Sequence, residues 1–406
     1  MPVYLDHAAT TPVSAPALAA LTDELGRGGN PSSLHSSGRR ARQGVEDARE
    51  TLAAAADAHP SEVIFTSGGT EADNLAVKGL YWSRRAADPR RVRILCSSIE
   101  HPAVQDAVEW LEHHENAIVS WLPVDAYGTV RVDAVRAELE AHGASVALIA
   151  LMWANNEVGT IQPVAEIAAL AATYAVPVHS DAVQAFGSVP ISFRTSGLAT
   201  MAVSAHKIGG TVGVGALFVG RSVKLTPVQH GGGQERDIRS GTLDSPGIAA
   251  FAAAAQDSVA GLPGEAQRLA DLRDRLIGAV HAAVPEAVLR GVPHPAAAGS
   301  RLPGNAHFTF PGCEGDSLLF LLDLAGIESS TGSACTAGVP RPSRVLLAMG
   351  LSEDEARGAQ RFSLGHTSTD ADVDALRAAL PDAYQRARSA GLASHESSIR
   401  TAGTGL

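Results

Sequence analysis

Cysteine is scarce: Cys96, Cys313 and Cys335 are the only three in 406 residues. An odd number, widely separated, builds neither a disulfide framework nor a CxxC-type zinc site, and points to a reducing compartment. Charged residues make up 18% of the chain, below the usual quarter. Lys+Arg 32 against Asp+Glu 43 leaves a net charge of −11, so no overall basic field steers the chain to nucleic acid. Long apolar runs are absent too. The longest, such as 146–154, fall well short of the roughly 20 residues that span a bilayer. The start, Met-Pro-Val-Tyr-Leu-Asp-His, has no basic region followed by an apolar run. The expectation is a cytoplasmic protein with no membrane and no direct nucleic-acid partner. Its 45% hydrophobic content is that of a folded chain and excludes wholesale disorder.

What is present is alternation. Short β-branched runs at 63–66, 92–96, 119–123, 146–152, 176–180, 201–204 and 216–219 are separated by helical patterns at 71–86, 103–114, 133–142 and 164–174. Strand and helix in repetition predict an α/β fold, a mostly parallel sheet with helices on both faces. Around 261–264 glycine and proline punctuate the pattern, and an amphipathic helix at 265–283 is expected to open a smaller α+β block. That block has strands near 288–290, 307–310 and 361–364 and a closing helix at 370–390. The division predicted is 12–262 for a large domain, 1–11 with 263–393 for a small one, and 394–406 for a flexible tail. No internal repeat is visible.

The residues that carry chemistry gather at strand ends, where open α/β sheets bind ligands. Lys207 follows one strand within Ser204-Ala-His206-Lys207 and suits a Schiff base to an aldehyde cofactor. Asp181 closes another, where a buried acid could face a pyridinium nitrogen. Thr66-Ser-Gly-Gly69-Thr70-Glu71 links a strand to a helix, and glycines before a helix N-terminus cradle phosphate. His101 could stack on a ring and relay protons, and Asn156 offers an amide at a fourth strand end. Each has a plain alternative: a loop lysine, a capping acid, a glycine turn, a satisfied histidine. Four complementary strand ends together point to a pyridoxal 5'-phosphate site.

With these residues in place the chain resembles the class V aminotransferase family, and within it the cysteine desulfurases of the NifS/IscS group. The resemblance is carried by Tyr4-Leu-Asp-His-Ala-Ala-Thr-Thr-Pro12, Asn30-Pro-Ser-Ser-Leu-His35, Thr66–Glu71, Asn155-Asn-Glu-Val-Gly159 and His206-Lys207. After the lysine come Arg239-Ser-Gly-Thr242, Ser330-Thr-Gly-Ser-Ala-Cys335 and Arg361-Phe-Ser-Leu-Gly365. It implies the fold type I of pyridoxal-phosphate-dependent transferases and a cysteine desulfurase that turns L-cysteine into L-alanine. It further implies Lys207 as the Schiff-base lysine, Asp181 as the ring-nitrogen partner, Gln184 on the phenolic oxygen and His101 on the ring. Gly69, Thr70, Ser204 and His206 would hold phosphate, with Thr242 reaching in from the second subunit of a homodimer. Arg361 would clamp the substrate carboxylate, assisted by Asn156. Cys335 would be the nucleophile that takes the sulfur as a persulfide. The sulfur would then pass to an iron–sulfur scaffold protein or another acceptor such as the tRNA-thiolation machinery, and Cys335 could share a transient iron–sulfur cluster with that scaffold. Where the family usually reads Gly-Pro-Lys-Gly, this chain has Gly210-Thr211-Val212-Gly213.

Apart from the resemblance, the neighbours of Cys335 are small and polar, which predicts a mobile loop and an exposed thiol. Cys96 lies in an apolar strand and reads as core, and Cys313 reads as structural. The competing functions are a selenocysteine lyase and a class V aminotransferase. The latter has no need of a cysteine on a loop.

Overall fold

The structure is a computed structural model that describes residues 2–294, 299–332 and 342–402, with side chains through residue 390. Cys335 lies outside the described residues. The chain opens with β1 (Val3–Tyr4), α1 (Ala15–Arg27) and α2 (Ser36–Ala55). Then come β2 (Val63–Thr66), α3 (Gly69–Ala87), β3 (Arg93–Ser97), α4 (Pro102–Glu115), β4 (Ile118–Leu122) and α5 (Val132–His142). The alternation continues with β5 (Val146–Ala150), α6 (Val164–Ala172), β6 (Val178–Asp181), α7 (Phe193–Ser196), β7 (Thr200–Ser204) and β8 (Gly215–Val219).

These strands form one seven-stranded sheet in the order β2-β8-β7-β6-β5-β3-β4. Only β8 runs against its neighbours; the other pairs are parallel. The inner strands β5 and β7 are buried along their whole length, as expected for a sheet covered on both faces. Every strand anticipated from the apolar runs is there.

A second group follows α8 (Ser245–Ala283): β9 (Val288–Arg290), β10 (Asn305–Thr309), α9 (Gly315–Leu324), β11 (Ile327–Glu328), α10 (Arg344–Ala348), α11 (Glu353–Arg357), β12 (Ala359–Ser363) and α12 (Asp370–Ala402). Strands β9, β10 and β12 make an antiparallel sheet, and β1 pairs in parallel with β11. The first residues of the chain thus belong spatially with the last third. Leu5 packs in one cluster with Phe308, Phe362, Leu376 and Tyr384, separate from the cluster of Leu95, Ile149, Met201 and Phe218 under the large sheet.

Two expectations are corrected. The helix foreseen at 265–283 starts at Ser245 and runs for 39 residues through Pro263. An interior proline costs about 3 kcal/mol. Here Phe251 and Ala255 anchor one half of α8 in the first core, and Leu272, Leu276 and Val280 anchor the other half in the second. Packing on both sides outweighs the break. Likewise α12 continues past 390 to Ala402, since Ser, Glu and Arg after Gly391 bring no proline to stop it; 403–406 lie outside the described residues.

Candidate active site

The carboxyl ends of the inner strands bring the anticipated residues together. Asp181 is the last residue of β6 and Ser204 the last of β7, and Lys207 closes the helical turn that follows. Parallel register sets Asp181 beside Ala202, two residues short of Ser204. Asp181 is 7% exposed, and its Oδ1 accepts the Val183 N–H at 2.8 Å. Burial raises its pKa, while His101 and Lys207 pull it back toward the carboxylate.

Lys207 points at the N-terminal segment, where its Nζ donates to the carbonyls of Ala8 at 2.6 Å and Ala9 at 2.7 Å. Burial, and then repulsion from Arg361, lower its pKa to about 8, against the pull of Asp181 and Asp6. An amine in that range is partly free near neutral pH, as a nucleophile and base must be. Gln184 donates to the same Ala8 carbonyl at 2.9 Å.

His101 caps α4. Pro102 occupies the first helical position, where a missing N–H costs nothing, and His101 Nδ1 accepts the Ala103 N–H at 3.1 Å. Burial lowers its pKa. The neutral ring therefore carries its proton on Nε2. His206 is also held neutral, its pKa lowered to about 4 by burial and by Lys207.

At the start of α3, Gly68 has φ 149° and caps the helix without a side-chain hydrogen bond. Its approach to β8 needs glycine at 215, because a Cβ there would lie 2.7 Å from the Gly68 backbone. A Cβ on Gly69 would meet Val183 at 2.8 Å and Ser204 at 3.7 Å. Gly69, Thr70 and Ser204 thus surround a helix N-terminus that favours an anion. Glu71 braces this turn: its carboxylate accepts the Ser67 N–H at 2.7 Å and the Arg239 Nε–H at 2.7 Å.

Arg361, on β12, is 4% exposed. Its Nη1 donates to the Asn156 carbonyl at 2.8 Å and its Nη2 to Asp6 Oδ1 at 2.7 Å. It comes close enough to Lys207 to depress that amine. Asn155 is fully buried and shapes the turn, donating to the Ile99 carbonyl while accepting the N–H groups of Glu157 and Val158. Asn156 is left half-buried at the site.

Thr242 is exposed on the segment that leads into α8. Cys96 and Cys313 are both buried, as expected, with thiol pKa values pushed up by burial, to about 12 for Cys313. In the atypical stretch after Gly210, Val212 is 73% exposed. Sequence reasoning missed Asp6 and Glu71 as organising residues, although both sit inside the motifs it singled out.

The residues fit pyridoxal phosphate. A buried carboxylate, a lysine amine of lowered pKa and an uncapped helix start with glycines packed against Ser204 stand along one edge of the large sheet.

The aminotransferase class-V family matches residues 3–376. The chain belongs to this family. It is 56% identical over 390 residues to an IscS-like cysteine desulfurase of Mycobacterium tuberculosis, covering 96% of this chain and 98% of that one. Among solved structures, a NifS-like protein from Rickettsia africae superposes with TM-score 0.84 at 31% identity, covering 95% of this chain and all of that one (100%). A structure described as SspA in complex with cysteine gives TM-score 0.75 at 32% identity, with 89% and 98% covered. Among the described residues no helix is long and apolar enough to cross a membrane, and no cluster of three or more His, Cys, Asp or Glu could hold a metal ion.

Proposed function

We propose that this class-V enzyme is a cysteine desulfurase that converts L-cysteine to L-alanine and takes the sulfur onto Cys335. The observation that carries the reading is Arg361 beside Lys207: a buried guanidinium able to bind an amino-acid carboxylate, within electrostatic reach of an amine that is partly free at neutral pH. Its relatives support the substrate, being named for cysteine desulfuration or solved with cysteine.

Pyridoxal phosphate, when bound, supplies an electron-withdrawing ring that stabilises negative charge on the substrate α-carbon. Lys207 would hold its aldehyde carbon, Asp181 its ring nitrogen, Gln184 its phenolic oxygen and His101 its face. Gly69, Thr70, Ser204 and His206 would take its phosphate. Arg361 orients the carboxylate as a fork, and Asn156 lines the same end. The Lys207 amine, once free, accepts the α-proton. His101, with its proton on Nε2 and Nδ1 engaged by the backbone, can donate and recover a proton beside it.

Cys335 is the remaining thiol. Cys96 and Cys313 are buried with raised pKa values, so neither offers a thiolate to substrate. The Cys335 sulfur attacks the substrate sulfur and the substrate C–S bond breaks. L-Cysteine plus the Cys335 thiol gives alanine plus a Cys335 persulfide, balanced without any outside oxidant.

We further take 12–262 as the cofactor-binding part, and 1–11 with 263–393 as the part that carries Cys335. A homodimer would bring the second copy's Thr242 to the phosphate. An iron–sulfur scaffold in the cytoplasm would be the acceptor, with Cys335 able to touch its cluster. The test is an assay of cofactor-loaded protein with L-cysteine and a reductant, quantifying alanine and sulfide in wild type and Cys335→Ala. Equal yields in wild type, both lost in the variant, support the reading. A variant as active as wild type, or a loaded enzyme that forms no sulfide, overturns it in favour of an aminotransferase or a selenocysteine lyase.

A further inference from the structure

Behind Asp181 lies a second group of buried polar side chains that the reaction above does not use. Asp73, on α3, is 1% exposed, and His179 and Thr200 are fully buried. His179 Nε2 lies 3.2 Å from Asp73 Oδ1, and its Nδ1 lies 3.0 Å from Thr200 Oγ1. The three make one chain across α3, β6 and β7, and the ladder places His179 directly beside Thr200. His179 and Asp181 are two apart on β6, so they project from the same face of the sheet. A core of this kind is normally apolar. Three polar side chains sealed there, each with its partner, form a built network rather than an accident of packing.

The charges facing this chain come from every side. Asp181 on β6 and Glu100, just ahead of α4, repel the Asp73 carboxyl, whose pKa burial has already raised well above normal. His101 at the start of α4 and Lys207 after β7 favour charge on Asp181 instead. Burial holds His179 neutral, with its pKa lowered to about 3.

We propose that Asp73, His179 and Thr200 are positioning residues for Asp181: Asp73 is a neutral acid whose O–H donates to His179 Nε2, whose Nδ1–H donates to Thr200, and the uncharged chain leaves Asp181 as the carboxylate for the cofactor nitrogen. Two carboxylates this close in a dry site cannot both ionise cheaply. Placing the proton on Asp73, tied off by an imidazole, fixes which of them stays charged. The inference rests on the cofactor reading above.

Infrared spectroscopy of the cofactor-free protein tests the protonation directly. Glu100, its pKa raised by burial to about 8, contributes a protonated-carboxyl band at neutral pH as well, so the band should lose the Asp73 component in Asp73→Asn and keep that of Glu100. Cofactor affinity and the pH titration of the bound cofactor's visible absorbance test the positioning. Asp73→Asn, a neutral donor of the same shape, should stay within about twofold of wild type in both. His179→Phe, which leaves Asp73 without its acceptor, should weaken cofactor binding about tenfold and shift the titration midpoint by about one pH unit. If His179→Phe does not fold, Thr200→Val gives the same direction with a smaller shift. An unchanged band in Asp73→Asn, or a cofactor titration that moves as far in Asp73→Asn as in His179→Phe, overturns the proposal. A wild-type protein that takes up no cofactor would instead sink the functional reading, while the infrared result on cofactor-free protein remains readable.

Discussion

Arg361 and Asp6, 355 residues apart in sequence, meet at 2.7 Å between Nη2 and Oδ1. The guanidinium is almost wholly buried, while the Asp6 side chain keeps 19% of its surface. Arg361 Nε has no partner among the described residues. Asp6 thus neutralises a cation that would otherwise wait uncompensated for a substrate carboxylate, and it fixes one tip of the fork.

Removing Asp6 should therefore harm the empty enzyme more than the occupied one. Breaking a buried ion pair costs about 3–5 kcal/mol; because Asp6 is partly exposed, we expect Asp6→Asn to lose about 2 kcal/mol. Saturating L-alanine, whose carboxylate supplies the missing charge, should restore much of that loss. Thermal unfolding with and without alanine measures it. The same shift in both states would mean that Arg361 does not receive the carboxylate.

The cysteines should divide by burial. With cofactor-free native protein, an alkylating reagent should modify Cys335 and spare Cys96 and Cys313 until the protein is unfolded, since their buried thiols have raised pKa values. Peptide mass mapping after a timed reaction reads this. Rapid labelling of Cys313 in the native state would contradict its packing against Tyr384.

Much of this arrangement was legible in the sequence. Seven β-branched runs marked the seven strands, and four strand ends carried Lys207, Asp181, His101 and Asn156 to one edge. What escaped was long-range. Asp6 reads as one acid in a short motif, and only the pairing of β1 with β11 carries it to β12. Glu71 reads as a first-turn acid of α3, yet its partner Arg239 arrives from a distant segment that the buried Arg49–Glu235 pair, 2.7 Å apart, ties to α2. Helix α8 escaped for the opposite reason. Local punctuation at 261–264 was outvoted by two cores that no local window can see.

That bracing of the phosphate turn is itself testable. Glu71 holds Ser67 through both its N–H and its hydroxyl while paired to Arg239. A charged hydrogen bond is worth about 1.5–3 kcal/mol, so Glu71→Gln should weaken pyridoxal-phosphate affinity about tenfold. Arg239→Met should do nearly the same. The double variant should be little worse than either single one, because both act through the same turn. Equilibrium binding to cofactor-free protein decides, and fully additive losses would break the link.

Lys207 predicts a pH dependence with a definite sign. Its pKa falls from 10.5 to about 8 on folding. Below pH 8 both states carry the proton, and the folded state bears the whole penalty of burying the ammonium. Between about pH 8 and 10.5 the unfolded chain binds more protons than the folded one, so stability rises with pH. At 1.36 kcal/mol per pKa unit the gain is about 3 kcal/mol. Lys207→Met, which cannot titrate, should lack it. Denaturant unfolding of both cofactor-free proteins at pH 7.5 and 10 isolates the difference, since every other titrating group is shared. Wild type should gain on the variant by up to that amount. Parallel behaviour of the two would show that the amine is not desolvated, and with it would go the argument that Lys207 is ready to accept the α-proton near neutral pH.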